Sequence, residues 1–314
     1  MKFALSTIAL GISLTCASLA ASGQTITVTQ QGGGNTVAAE QVNTTSDPVA
    51  FPAATTASIT QIGNNNHVGG PGATSGGIYQ ILAPRGGARA TVSQTGSDNN
   101  AGITQNGRLG GNSPPVEAVI TQQGNGNDAT ITQTNAFSND VTVDQNGSAN
   151  LARLRQVGTG DASLHVTQNG SGNTATVDHL GSSHGGPQVT QTGEGNTVSL
   201  YADNLLGPGA RITQDGSMNN ANVLLIGFDI MLTLSQQGVG NVANASVSGT
   251  SYADISQNGS YNLANLTQAN GFQKASIAQI GNSNSATVTQ TLQAYYVGNV
   301  SQTGAGNWSN VYQH

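Results

Sequence analysis

ITQQGNGNDATITQ, residues Ile120–Gln133, begins and ends on the same Ile-Thr-Gln triplet with a Gly/Asn-rich stretch between. Apolar and polar residues alternate on both flanks, the two-residue period of a strand whose side chains point to opposite faces. A helix requires a 3.6-residue period and disfavours this glycine and β-branched content. The central Gly-x-Gly, or Gly-x-x in other copies of the pattern, reverses the chain, because glycine reaches the positive-φ conformations of tight turns. The segment is therefore expected as strand–turn–strand, with Gln122, Asn127 and Gln133 on one inward face.

The same pattern recurs along the chain. Gly124 and Asn127 lie two and five residues after Gln122, and the triple returns at Gln145/Gly147/Asn150, Gln168/Gly170/Asn173 and Gln191/Gly193/Asn196. It continues at Gln214/Gly216/Asn219, Gln236/Gly238/Asn241, Gln257/Gly259/Asn262, Gln279/Gly281/Asn284 and Gln302/Gly304/Asn307, in steps of 21–23 residues. Earlier copies start at Gln30, Gln61 and Gln94, with Asn35, Asn66 and Asn99 at the same offset. Twelve copies at a near-constant period are the mark of a repeat architecture.

An aliphatic residue stands two before each of these glutamines, from Val28 to Val300. Alanines such as Ala129, Ala152 and Ala175 follow seven after it. A second glutamine comes eleven after it at Gln41, Gln105, Gln133, Gln156, Gln268, Gln290 and Gln313, but the slot decays to His179, Ala202, Leu225 and Val247. Each unit thus has a strict half and a lax half. The expected fold is an all-β solenoid of about twelve strand–turn–strand rungs, two parallel in-register sheets face to face, with rungs about 4.8 Å apart.

Buried amides cost about 1–3 kcal/mol per unpaired group. In register, each amide donates to the next rung, as in cross-β stacks, and only the end rungs lack partners. A one-residue slip would put threonine inside and glutamine outside, so the ladder also sets register. The last unit reaches His314 without a polar cap and the strand TITVTQ begins just after the leader. Both edges are therefore expected to be open, which favours end-to-end polymerisation.

Residues 1–20 have the character of a secretory signal peptide: Lys2, an apolar run from Phe3 to Leu14, and Ser18-Leu19-Ala20 as a small-x-small cleavage site. Removing them removes Cys16, the only cysteine, so no disulfide is expected in the exported chain. The remainder divides into residues 21–117, where Pro/Gly-rich insertions at about 43–56, 69–77 and 108–117 interrupt the repeats, and residues 118–314, where the spacing is regular. Only 7% of residues are charged and the formal net charge is −6, which argues against a nucleic-acid partner.

The unit, aliphatic-Ser/Thr-Gln-x-Gly-x-Gly-Asn-x-Ala-x-aliphatic-x-Gln, resembles the curlin repeat of bacterial curli subunits. The clearest copies are Val166–His179, Ile120–Gln133 and Val300–Gln313. The resemblance implies a secreted subunit of extracellular amyloid fibres, pilus-like structures on a Gram-negative bacterium that serve biofilm matrix, surface adhesion and cell aggregation. It also implies a homopolymer, export through a dedicated outer-membrane pore, and a related nucleator or major subunit as partner. Twelve units exceed the usual handful of that family, and no Gly-rich pore-targeting leader is evident.

Other functions find less support. Asp128, Asp140, Asp144, Asp161, Asp178 and Asp254 fall mostly in turns or at outward positions with no recurring partner, as solubilising charges do, so no enzyme is expected. His67, His165, His179, His184 and His314 are scattered, and His179 occupies a ladder slot, so no metal site is expected. No Gly-x-Gly opens a helix, which disfavours a phosphate loop, and no other cofactor is expected. RTX-type calcium repeats need aspartate where asparagine stands here. An ice-binding face needs two outward threonine columns, whereas the column beside Thr121 and Thr167 reads Val119, His165, Gln188, Arg211, Thr233, Asp254 and Asn299. A capped monomeric adhesin or binding solenoid is the alternative function. The aromatic group Tyr295, Tyr296, Trp308 and Tyr312 is a candidate docking surface.

Overall fold

A computed structural model describes residues 2–6, 12–16, 24–43, 55–69, 76–82, 87–107, 116–136, 139–181, 184–203, 207, 209–269, 271–291 and 295–314. Among these residues every regular element is a strand. The chain divides into two compact units, Met1–Leu164 and His165–His314.

In the first unit the first strands of successive rungs pair in parallel: Gln24–Gln31 with Thr55–Asn64, then Ala88–Ser97, Val116–Asn125 and Asp140–Ser148. Register is held at the glutamine throughout, Gln30↔Gln61, Gln61↔Gln94, Gln94↔Gln122 and Gln122↔Gln145. The second strands form a facing parallel sheet in which Asp128–Thr134 lies between Asn100–Gly107 and Leu151–Val157. Ile59, Val92, Ile120, Val143, Ile103 and Ile131 fill the space between the sheets.

The second unit repeats the arrangement over seven rungs, from Leu164–Ser171 and Thr174–Leu180 to Tyr296–Ala305 and Trp308–Gln313. Gln168 to Gln302 stay in register rung by rung. The expected β-solenoid is thus the observed fold. From Val116 onward there are nine plain two-strand turns, while the three earlier rungs lie in the part of the chain that carries insertions.

The second of those early rungs is split. Its second strand is divided into His67–Val68 and Ile78–Leu82, both paired to Thr36–Asn43. Most of the three predicted insertions lies outside the described residues.

In the full chain, Lys2–Ser6 runs antiparallel to Thr36–Asn43 and Ile12–Cys16 runs antiparallel to Gln24–Gln31. These leader segments cover the N-terminal edge; the expectation of an open edge concerns the chain without residues 1–20. The physical reason is general: an unpaired row of N–H and C=O groups accepts any extended segment within reach.

Candidate functional site

The functional geometry lies in columns of identical side chains rather than in a cleft. Gln122 is fully buried, and its amide nitrogen donates both to Gln145 Oε1 at 2.8 Å and to the Asn100 carbonyl of the facing sheet at 2.8 Å. Both amide hydrogens are thus used, one along the stack and one across it. Gln30, Gln61 and Gln94 continue this ladder in the first unit at 2.6–2.8 Å. In the second unit the ladder runs from Gln168 through Gln191, Gln214, Gln236, Gln257 and Gln279 to Gln302 at 2.8–2.9 Å.

The asparagine column is also a rung-to-rung amide ladder, but it runs the other way. Asn127 Nδ2 donates back to Asn99 Oδ1 at 3.0 Å, and the Asn127 backbone N–H donates to the same oxygen at 3.1 Å. Asn150 does the same to Asn127, and Asn66 and Asn99 bond in the same sense toward Asn35 and Asn66. The other hydrogen of Asn127 Nδ2 reaches forward to the Gly147 carbonyl at 3.0 Å, so the asparagine also clamps the glycine of the next rung.

Asn173, fully buried, shows the same polarity in the second unit. Its Nδ2 donates forward to the Gly193 carbonyl at 3.0 Å rather than to Asn196. Its Oδ1 instead accepts from both the side-chain and the backbone nitrogen of Asn196, each at 3.1 Å. The reason is geometric: the backbone N–H of the following asparagine already points at that oxygen, and the side-chain N–H joins it there. Asn219, Asn241, Asn262, Asn284 and Asn307 likewise each donate to the preceding asparagine.

The forward clamp explains why glycine is strict two residues after each glutamine. Gly124 has φ of 110°, and a Cβ placed there would sit 2.0 Å from the Gly147 carbonyl oxygen. Gly147, Gly170, Gly193, Gly216, Gly238, Gly259, Gly281 and Gly304 all share the positive φ. A second left-handed position lies two residues later, where the sequence reads Gly-x-Gly in some rungs and Gly-x-x in others. That left-handed position holds glycine in some rungs, Gly126 among them, but Ala149, Met218, Tyr261 or Ser283 in others, at φ of 54–56°. Space around it is open at Gly126, so only a modest backbone cost of about 1–2 kcal/mol applies to a side chain there.

The lax column is complete in the first unit. Gln41 donates to Gln80, Gln80 to Gln105, Gln105 to Gln133 and Gln133 to Gln156, at 2.7–3.2 Å. Gln80 escaped the sequence pattern because the insertion before Ile78 displaces it from the eleven-residue offset; its only signal was the Ile78-x-Gln80 alternation. Asn139 was likewise missed. It is buried and donates to Thr159, and its Oδ1 accepts from the Ala162 N–H at 2.7 Å.

In the second unit the lax column breaks, which corrects the expectation that every interior amide is satisfied. Val247 offers no donor, so Gln268 Oε1 is buried without a partner, although Gln268 donates to Gln290 and Gln290 to Gln313. His179 fills a ladder slot, fully buried, with neither ring nitrogen hydrogen-bonded. Burial lowers its pKa to about 4.

The candidate chemistry residues stay apart. Asp140, Asp144, Asp161 and Asp254 are exposed, Asp128 and Asp178 half-buried. No group of three or more His, Cys, Asp or Glu residues able to hold a metal ion occurs among the described residues. Tyr295, Trp308 and Tyr312 are exposed, Tyr295 stacking on Phe272 at 5.2 Å between ring centroids.

The family model of the curlin associated repeat matches residues 110–134 and 251–291. The chain carries curlin associated repeats over these two regions. The two matched regions include Gln122, Asn127, Gln257, Asn262, Gln279 and Asn284, ladder residues of both compact units. No curated protein sequence matches the chain significantly.

Proposed function

We propose that this curlin-repeat protein is a non-enzymatic structural subunit of extracellular curli-like fibres that contribute to biofilm matrix, surface adhesion and cell aggregation. The observation that carries this reading is the opposite polarity of the two ladders. Toward the C-terminal side a rung offers glutamine N–H donors and asparagine Oδ1 acceptors. Toward the N-terminal side it offers glutamine Oε1 acceptors and asparagine N–H donors. The C-terminal side of one copy therefore complements the N-terminal side of another, and two like sides set donor against donor. Growth is polar and head-to-tail.

Export follows from the leader, whose removal frees the strands Gln24–Gln31 and Thr36–Asn43 for addition. The outer-membrane secretion pore and a related nucleator or major subunit belong to the same proposal as partners, and the fibre is placed on the surface of a Gram-negative cell.

Purified chain lacking residues 1–20 tests this by seeded growth, followed with an amyloid dye and electron microscopy. The expected result is filaments that seed themselves, with the full-length chain growing more slowly. A concentrated sample that stays monomeric for days and binds no dye overturns the proposal.

A further inference from the structure

Over six of the seven rungs of the second unit the two outer faces differ in charge. First strands from Gln188–Glu194 to Gln273–Asn282 carry Glu194, Arg211, Asp215, Asp254 and Lys274, all exposed. The second strand of the unit's first rung, Thr174–Leu180, carries Asp178, but the six second strands that follow, from Thr197–Ala202 to Trp308–Gln313, contain no charged residue. In the first unit the corresponding sheet does carry charge, at Glu40, Asp128, Arg153 and Arg155.

The charge-free face also bears an outward amide ladder that assembly along the stack does not require. Asn222 Nδ2 donates to Asn244 Oδ1 at 3.0 Å, and Asn244 Nδ2 to Asn265 Oδ1 at 2.9 Å. Dehydrating a polar group is costly chiefly when its hydrogen bonds are lost. These bonds run along the column, so a surface laid over it leaves them intact. Dry interfaces between paired sheets with amide ladders are built this way.

Shape adds a second argument. Leu224, 38% exposed, lines a shallow groove together with Ser246 and Thr267, which stand in the same outward column one and two rungs on. A two-fold axis along the strands, passing between the Leu224 and Ser246 rungs, sets Leu224 of each copy over Ser246 of the other. Such an isologous contact uses one patch twice.

We infer that this face pairs laterally with the same face of a second copy, bundling filaments, an inference that rests on the fibre reading above. Area decides when pairing occurs. Six strands about 4.8 Å apart, with about five residues each at roughly 3.3 Å, present on the order of 500 Å². That is below the roughly 800 Å² per partner of a stable pair, so single copies do not dimerise through it. A filament repeats the face in every subunit and the contacts add.

The test compares wild-type chain with Asn244→Lys and Thr267→Lys on this face, and with Thr233→Lys and Ser276→Lys on the opposite sheet. Filaments are counted as paired or single by electron microscopy, and growth is followed by dye binding. The expected result is at least a tenfold loss of pairing in both face variants, growth rates within twofold of wild type, and unchanged pairing in the opposite-sheet variants. Pairing that survives either face variant, or wild-type filaments that are all single, overturns the inference and leaves the fibre reading standing. Wild-type chain that forms no filaments overturns both.

Discussion

Gln122 and Gln145 lie one rung apart with Gln122 Nε2 2.8 Å from Gln145 Oε1, while Asn150 on the later rung donates back to Asn127 at 3.0 Å. The two columns point in opposite directions through the same pair of rungs, which makes each rung self-complementary to its copy in one orientation only.

Replacing Gln122 by alanine leaves one N–H of the buried Gln94 amide without its acceptor, the other still donating to the His67 carbonyl, and removes the Gln122 donor from Gln145 Oε1. Each orphaned group costs about 1–3 kcal/mol. Urea unfolding of the variant is expected to show a correspondingly lower midpoint. An unchanged midpoint would show that the amides are individually dispensable.

Gly124 and Gly126 separate two roles that look alike in the sequence. Gly124→Ala sets a Cβ 2.0 Å from the Gly147 backbone oxygen at φ of 110° and is expected to cost more than the roughly 1–3 kcal/mol of a strained backbone alone. Gly126→Ala, at φ of 66° in open space, is expected to cost no more than about 1–2 kcal/mol. Unfolding midpoints and filament growth rates of the two variants measure the difference; equal effects would contradict the steric account.

His179 makes the protein acid-sensitive. Its folded pKa of about 4 lies below the usual 6.5, because burial disfavours the charged ring. The unfolded chain thus takes up a proton first as pH falls. Stability from this group is complete above about 6.5 and is lost progressively down to about pH 4, by up to about 3 kcal/mol. Denaturation between pH 7 and 4 is expected to show that slope, and His179→Gln to flatten it. A slope unchanged in the variant would assign acid sensitivity elsewhere.

Arg89 and Glu117 are 3.6 Å apart on the outer face, with side chains 55% and 35% exposed. Such pairs are worth about 0–1 kcal/mol. Glu117→Gln is expected to shift the unfolding midpoint far less than Gln122→Ala, and a comparable shift would place stability in surface charge rather than in the ladders.

Much of the fold is legible in single residues. Val143, Gln145 and Ala152 alternate with polar neighbours, and side-chain alternation alone assigns them to one inward face. Gln80 was not legible, because an insertion breaks the count that locates it. The forward bond of Asn173 to the Gly193 carbonyl was not legible, because it depends on where a neighbouring rung places its backbone oxygen. The orphaned Gln268 oxygen was not legible either, since it depends on which residue, Val247, stands beneath it in the adjacent rung.

By itself the sequence determined the rung: its period, its inward residues and its register, because a strand's two-residue alternation and a repeated glutamine leave one self-consistent stacking. Only the tertiary structure decided why Gly124 is strict while Gly126 is replaceable, which way each amide ladder points, and that Lys2–Ser6 and Ile12–Cys16 cover the first edge. Those properties arise between rungs, where a Cβ meets a carbonyl about 23 residues away in sequence and one strand spacing away in space.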